Sequence, residues 1–204
     1  MRNNKRTYPA AEIVLENRTC ALDLARVFGR VAPLEVDLGC GDGTFLAALA
    51  REQPERNFLG VERMPGRVRA ACRKIGDAQL PNARVLRADI LEALHTLLAP
   101  RSVEVCHLLF SDPWPKRRHH ERRVFSVEFL RAVAGALIPG GLLRVATDHA
   151  EYFSAMELIW PHAVDFEVCP PGASETGFST TFENRFRANG ARIHRVTLRK
   201  RTGD

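Results

Sequence analysis

From residue 34 onwards the chain alternates between two kinds of apolar pattern. Residues 34–38, 57–61, 83–87, 103–110 and 142–146 are short, nearly continuous apolar runs, as in strands buried on both faces. The segments between them are periodic instead. Phe125, Phe129, Val133 and Leu137 recur every fourth residue in 125–137, and Tyr152, Phe153, Met156, Ile159 and Trp160 mark a further amphipathic helix. Helical runs are also expected after the glycines of 39–43 and over 91–98. Strands and helices in alternation predict an α/β fold built on a parallel sheet. The last apolar segment, 191–200, alternates with outward basic residues, as a strand at a charged edge would. Residues 10–27 read as a modestly helical run, Pro139-Gly140-Gly141 as a turn, and the Pro-, Gly-, Ser- and Thr-rich 170–181 as a surface loop. No repeat or shift of composition divides the 204 residues, which suit one domain over 31–204 preceded by a basic arm and helix over 1–30.

Each predicted strand leads into an acid. Asp37, Glu62, Asp89, Asp112 and Asp148 all fall at or just past a carboxyl end, the rim where open α/β sheets hold their ligands. Gly39, Gly41 and Gly43 follow the first of these strands, and glycine lets the backbone turn sharply and lie against a ligand. Thr44 occupies the place of the third glycine of a dinucleotide fingerprint, and the Gly-Lys-Ser/Thr of a phosphate loop is absent. Glu62 stands where an acid can hydrogen-bond ribose hydroxyls. Asp89 has two readings, a partner for the adenine amine or the N-cap of the helix after it. A ring of acids around a loop with no basic residue suits a cationic adenosine ligand better than a pyrophosphate. S-Adenosylmethionine, with its sulfonium and ammonium groups, has that charge.

Composition adds a partner. Lys and Arg number 30 against 24 Asp and Glu, a net charge of +6, which is compatible with a polyanion. The charge is concentrated in 111–123, where Asp112-Pro-Trp-Pro leads into Lys116, Arg117, Arg118, His119, His120, Arg122 and Arg123. Alone, that run is a proline turn and a solvated basic face. Beside the acidic rim it reads as a junction between cofactor and nucleic acid. Pro113 and Pro115 stiffen it, and Trp114 is either a platform for an unstacked base or a packed hinge. The basic start, Arg2, Lys5 and Arg6, is an arm for phosphates or a frayed terminus. Cys20, Cys40, Cys72, Cys106 and Cys169 have no paired spacing, and His119 and His120 lack partners at metal-ligand spacing. Reduced, mostly buried thiols and no metal are expected. With no apolar core in 1–8 and no run of eighteen apolar residues, a soluble cytoplasmic protein is expected.

Asp37-Leu-Gly-Cys-Gly-Asp-Gly43 with Glu62 downstream resembles the cofactor loop of the class I, Rossmann-like methyltransferases. Asp112-Pro-Trp-Pro-Lys116 with its basic tail, Thr147-Asp148 and Thr180-Thr-Phe-Glu183 is similar to the bacterial tRNA (guanine-N7)-methyltransferases, from about residue 28 to the end. Asp37 departs from that family's usual Glu. The resemblance implies a mostly parallel seven-stranded sheet with an antiparallel C-terminal strand. It also implies an enzyme that methylates a guanosine of the tRNA variable loop. Asp37, Gly39, Gly41, Gly43, Glu62, Asp89 and Asp112 would then line the S-adenosylmethionine site, with Asp112 catalytic. Lys116, Asp148, Thr180 and Glu183 would contact guanosine or tRNA, and Arg118 to Arg123 its phosphates.

Guanine N7 has a lone pair and no proton, so its attack on a sulfonium methyl needs no base. Alignment and stabilisation of a ring that becomes cationic are what the step requires, and a fixed carboxylate supplies both. Two other readings compete. An amine methyltransferase would use Asp-Pro-Trp as an amine-binding loop, which the basic run disfavours. A silent RNA-binding protein on this fold is disfavoured by the acidic rim.

Overall fold

In the computed structural model, residues 11–170, 188 and 190–202 are described. The chain enters a sheet at β1 (Glu12–Ile13) and adds β2 (Leu34–Leu38), β3 (Asn57–Glu62), β4 (Ala83–Arg87), β5 (Val103–Leu109), β6 (Leu137–Thr147), β7 (Phe166–Val168) and β8 (His194–Lys200). Their order is β1-β4-β3-β2-β5-β6-β8-β7, so the described residues form eight strands where seven were expected. Neighbours from β1 to β6 pair in parallel, and β8 is antiparallel to both β6 and β7. The basic strand β8 is therefore interior. Its alternation holds, with Val196 and Leu198 buried and Arg195 and Arg199 exposed, but the short β7 takes the edge.

The two faces are covered in chain order. Helices α2 (Thr44–Glu52) and α3 (Pro65–Asp77) lie on one face, where Phe45, Leu46, Leu49, Val68 and Ile75 join Phe58 and Val85 in one apolar cluster. On the other face α4 (Ile90–Glu92), running into a π-turn at Ala93–Leu97, packs with α5 (Val127–Ala136) and α6 (Ala150–Ile159) through Leu97, Phe129, Val133, Tyr152 and Met156. Ser126 caps α5 by accepting from the Phe129 N–H at 3.1 Å. The other end of α5 is closed by Lys200, whose ammonium donates to the Ala134 and Leu137 carbonyls.

Two further expectations need correction. The helical run 10–27 is a strand at β1 and a single helix, α1 (Leu24–Phe28). The Asn17 side chain accepts from the Thr19 N–H at 2.8 Å, a local turn that competes with the helix, and Asp23 caps a new start. Pro139-Gly140-Gly141 does not reverse the chain. It lies inside β6, where the register jumps from Val103↔Leu137 to Val105↔Leu142. Gly140 has φ +77°, and a Cβ on Gly141 would sit 2.9 Å from the Ile138 carbonyl oxygen, so the glycines make a bulge. Cys20 is exposed, while the other four cysteines are buried, all as free thiols.

Between β2 and β5 the connections diverge, since β2 continues through α2 to β3 on one side while β5 continues through α5 to β6 on the other. This switch point is where ligands bind in open sheets. Beneath it, on the α2 face, buried Glu35 accepts from His107 Nε2 at 2.8 Å and pairs with Arg56 at 2.9 Å. Burial pushes the Glu35 carboxyl up, but His107, Arg56 and Arg144 outweigh it and hold the group below its usual value. Burial lowers His107, so the ring is neutral and donates to the carboxylate.

Candidate functional site

Because β4, β3, β2, β5 and β6 are adjacent and parallel, Asp89, Glu62, Asp37, Asp112 and Asp148 arrive in that order along one rim. The glycine loop crosses it. Gly39, Gly41 and Gly43 have φ of +84°, +57° and +73°, values that favour glycine. The Gly39 and Cys40 N–H groups both donate to the Val61 carbonyl, at 2.8 and 3.0 Å. A Cβ on Gly43 would stand 2.7 Å from the Ala71 Cβ, and one on Gly60 would stand 2.6 Å from the Cys40 sulfur. The opposite side is open. A Cβ on Gly41 would meet nothing within 4 Å, and one on Gly39 only Ile90 at 3.9 Å. The loop is thus tight against α3 and free toward a ligand. Lys74 secures it further, donating to Asp42 at 2.9 Å and to the Thr44 hydroxyl.

Glu62 braces the same loop. One carboxylate oxygen accepts from the Gly41 N–H at 3.1 Å and the other from the Met64 N–H at 2.8 Å, and each retains a lone pair for a further donor. Asp37 lies beside it, 4 % exposed against 5 % for Glu62. Burial, and then the Glu62 charge, push the Asp37 carboxyl up to about 7. Two buried acids facing an open glycine loop are a poor site for an anion and a good one for a cation, which would relieve their repulsion. The donor set therefore fits the sulfonium and ammonium groups of S-adenosylmethionine. Asp89 serves as N-cap of α4. It accepts from the Leu91 N–H at 2.9 Å, and Glu92 reaches back to the Asp89 N–H in a capping box.

Across the switch point, β5 delivers the loop of 110–116. Phe110 and Trp114, at φ +54° and +42°, bracket it in the left-handed region, which costs about 1 to 3 kcal/mol at each non-glycine residue. The Phe110 N–H donates to the Ala146 carbonyl at 2.7 Å, which anchors the loop to β6. Asp112 is exposed, and no described residue hydrogen-bonds its carboxylate. Asp148 is half-buried at the end of β6.

The basic residues divide in two. Arg117, Arg118 and Arg122 are exposed on a tight 3-10 turn, Arg117–Arg122, and Lys116 is exposed at its N-cap. Arg123, read from the sequence as a phosphate contact, turns inward to Pro113, Glu151 and Tyr152. His119 stands edge-on to Trp114 at 5.7 Å, and His120 is half-buried 4.0 Å from Glu151. Arg122 lies over the Trp114 ring at 5.1 Å, so one face of that ring is occupied as in a packed hinge. Thr180 and Glu183 lie outside the described residues. Among the described residues no three His, Cys, Asp or Glu cluster as a metal site would need, and no helix is long and apolar enough to cross a membrane.

Sequence reading missed the supports of this site. Gly60, Lys74, Glu151 and Tyr152 carry no motif of their own. Gly60 inside an apolar strand was the one available signal, since a strand glycine marks a close backbone approach.

Comparison with known proteins gives the family. Residues 31–196 match the model of a family described as "Putative methyltransferase". A tRNA (guanine-N(7)-)-methyltransferase of Cutibacterium acnes is 38 % identical over 187 residues, covering 88 % of this chain and 67 % of that protein. Proteins of the same name from Leifsonia xyli subsp. xyli and Alkalilimnicola ehrlichii are 44 % and 40 % identical. They cover 80 % and 88 % of this chain, and 74 % and 78 % of their own lengths. Among solved structures, the antibiotic-resistance methyltransferase Kmr superposes with a TM-score of 0.63 at 19 % identity, over 94 % of this chain and 96 % of its own. The 16S rRNA methyltransferase KamB gives 0.62 at 20 %, over 90 % and 95 %. At those identities the likeness is one of fold, a class I methyltransferase sheet. Glycine loop, acidic rim, Asp-Pro-Trp-Pro loop and relatives together place the chain in the family of the bacterial tRNA (guanine-N(7)-)-methyltransferases.

Proposed function

We propose that this chain methylates N7 of a guanosine in the variable loop of tRNA, with Asp112 at the reacting base and the glycine loop at the methyl donor. S-Adenosylmethionine, when bound, supplies an electrophilic methyl on a sulfonium. The observation that carries the reading is the adjacency of β2 and β5. It sets the buried pair Asp37 and Glu62 beside an exposed carboxylate, Asp112, with an exposed basic turn following it.

Asp37 and Glu62 are the groups to hold the donor's positive charge and ribose, and Gly39 and Gly41 leave room for it. Asp89, the N-cap of α4, receives the adenine amine in this reading. Asp112 has no proton to remove from N7. Its carboxylate orients the purine by accepting from the Watson–Crick edge, and it stabilises the positive charge that the ring gains. Lys116, Arg117, Arg118 and Arg122 are the exposed cations to take phosphates, with His119 and His120 beside them. Asp148, Thr180 and Glu183 complete the acceptor side in this reading.

The test uses the chain with labelled S-adenosylmethionine and unmodified bulk tRNA, followed by cleavage at N7-methylguanosine. Label at one guanosine of the variable loop is the expected result. Absence of any such cleavage, with cofactor still bound, defeats the proposal.

A further inference from the structure

Arg123 does not stand where the rest of its basic run stands. Its side chain is 8 % exposed, whereas Lys116, Arg117, Arg118 and Arg122 face solvent. Arg123 Nε donates to the Pro113 carbonyl at 2.7 Å, one residue past Asp112. Its Nη2 donates to both carboxylate oxygens of Glu151, at 3.1 and 3.3 Å. The guanidinium also lies over the Tyr152 ring, 4.9 Å from its centre. Tyr152 is itself buried. Its hydroxyl accepts from the Phe125 N–H at 3.3 Å. Glu151 and Tyr152 belong to the first turn of α6, the helix that begins just after Asp148. One side chain thus ties the Asp112 loop to the element beside the next acid of the rim. The loop requires such a tie, because left-handed Phe110 and Trp114 persist only where surroundings over-determine them.

We propose that Arg123 is a positioning residue that clamps the 110–116 loop onto α6 and so sets Asp112 against the acceptor base, instead of holding a tRNA phosphate. The role of the loop rests on the function proposed above; the clamp itself rests on the contacts alone. Lysine separates the two roles. It keeps the charge a phosphate contact needs, but its ammonium cannot hold a carbonyl, a carboxylate and a ring face at once.

The experiment compares Arg123→Lys, Arg123→Ala and Glu151→Gln with the parent chain, using Lys116→Ala as the reference for an exposed cation. Three quantities are measured: kcat and KM for methylation of tRNA, tRNA affinity across a salt series, and acrylamide quenching of Trp114 in a Trp160→Phe background. Both Arg123 variants are expected to lose about 10- to 100-fold in kcat, as a displaced catalytic group does. Their KM for tRNA and their salt slope stay parental, Trp114 becomes more quenchable, and Glu151→Gln shows a smaller loss of the same kind. Lys116→Ala instead lowers the salt slope by about 0.7 to 0.9. Parental kcat in Arg123→Lys overturns the proposal, as does a reduced salt slope with parental kcat in Arg123→Ala. Should Arg123→Ala not fold, the lysine and Glu151 variants carry the same readings. A parent chain that makes no N7-methylguanosine defeats the functional reading, and the quenching then decides the clamp: parental quenching in Arg123→Lys and Glu151→Gln overturns it.

Discussion

The two sides of the switch point are built in opposite ways. On the β2–β3 side the site is packed. Gly43 and Gly60 have no room for a Cβ, Lys74 ties Asp42 and Thr44, and Asp37 and Glu62 are buried. On the β5 side Asp112 is exposed on a strained loop, supported by the Phe110 N–H on β6 and by a guanidinium reaching across to α6. The ligands explain the difference. A small cofactor of fixed shape is recognised by a pocket whose walls are in place beforehand. A macromolecular acceptor has to reach its catalytic group from outside, so that group sits on an exposed loop and its placement must be held from behind.

The comparison is broken most directly at Asp112. Asp112→Asn is expected to lower single-turnover methylation at saturating tRNA by about 10²- to 10³-fold, with little change in tRNA affinity, as for removal of a preorganised charge-stabilising group. A parental single-turnover rate would sink the assignment. On the packed side the largest effect falls at Gly43. Gly43→Val places carbons against Ala71 at a positive φ, and a loss of about 1 to 3 kcal/mol in denaturant unfolding is expected, together with weakened cofactor binding in calorimetry. Unchanged stability and affinity would mean that the loop is not held as tightly as its contacts imply.

Smaller effects sharpen the contrast. Alanine at Arg117, Arg118 and Arg122 together is expected to reduce the salt slope of tRNA binding by about 0.7 to 0.9 for each phosphate contact removed, while cofactor affinity is untouched. An intact slope would make the turn a solvated face only. The packed side carries a pH signature in place of a salt signature. Burial, and then Glu62, push the Asp37 carboxyl up to about 7 in the chain alone. Because its folded value lies above the unfolded one, the chain alone loses stability as pH rises from the ordinary carboxylate range through 7. A cationic ligand favours the ionised form, so S-adenosylmethionine affinity should rise roughly tenfold from pH 6 to pH 8. Asp37→Asn should bind more weakly and flatten that profile, and a parental profile in this variant would assign the titration elsewhere.

Much of the packed side was legible along the chain. The strand at 34–38, its three glycines and Glu62 lie within one βα unit and the strand after it, so local order alone brings them together. Asp89 was legible as both cap and candidate, and the capping box realises the first of these. The β5 side was legible as a motif but not as a mechanism. Arg123 is the fifth Lys or Arg of a run whose other four face solvent, and nothing in its neighbours separates it from them. Glu151 and Tyr152 lie 28 and 29 residues further on, in a helix whose pattern reads as core.

What the sequence determined by itself was therefore the α/β order, the acids at the strand ends and the glycine loop. Hydrophobic period and glycine's conformational freedom act over a few residues and leave their record there. Tertiary structure decided which strands are neighbours: β2 beside β5, β8 inside the sheet with β7 at its edge, and a two-residue β1 in place of a helix. It also decided which basic residue turns inward. Those outcomes depend on partners far along the chain, and a guanidinium on the surface and one clamped between a carbonyl, a carboxylate and an aromatic ring are spelled the same way.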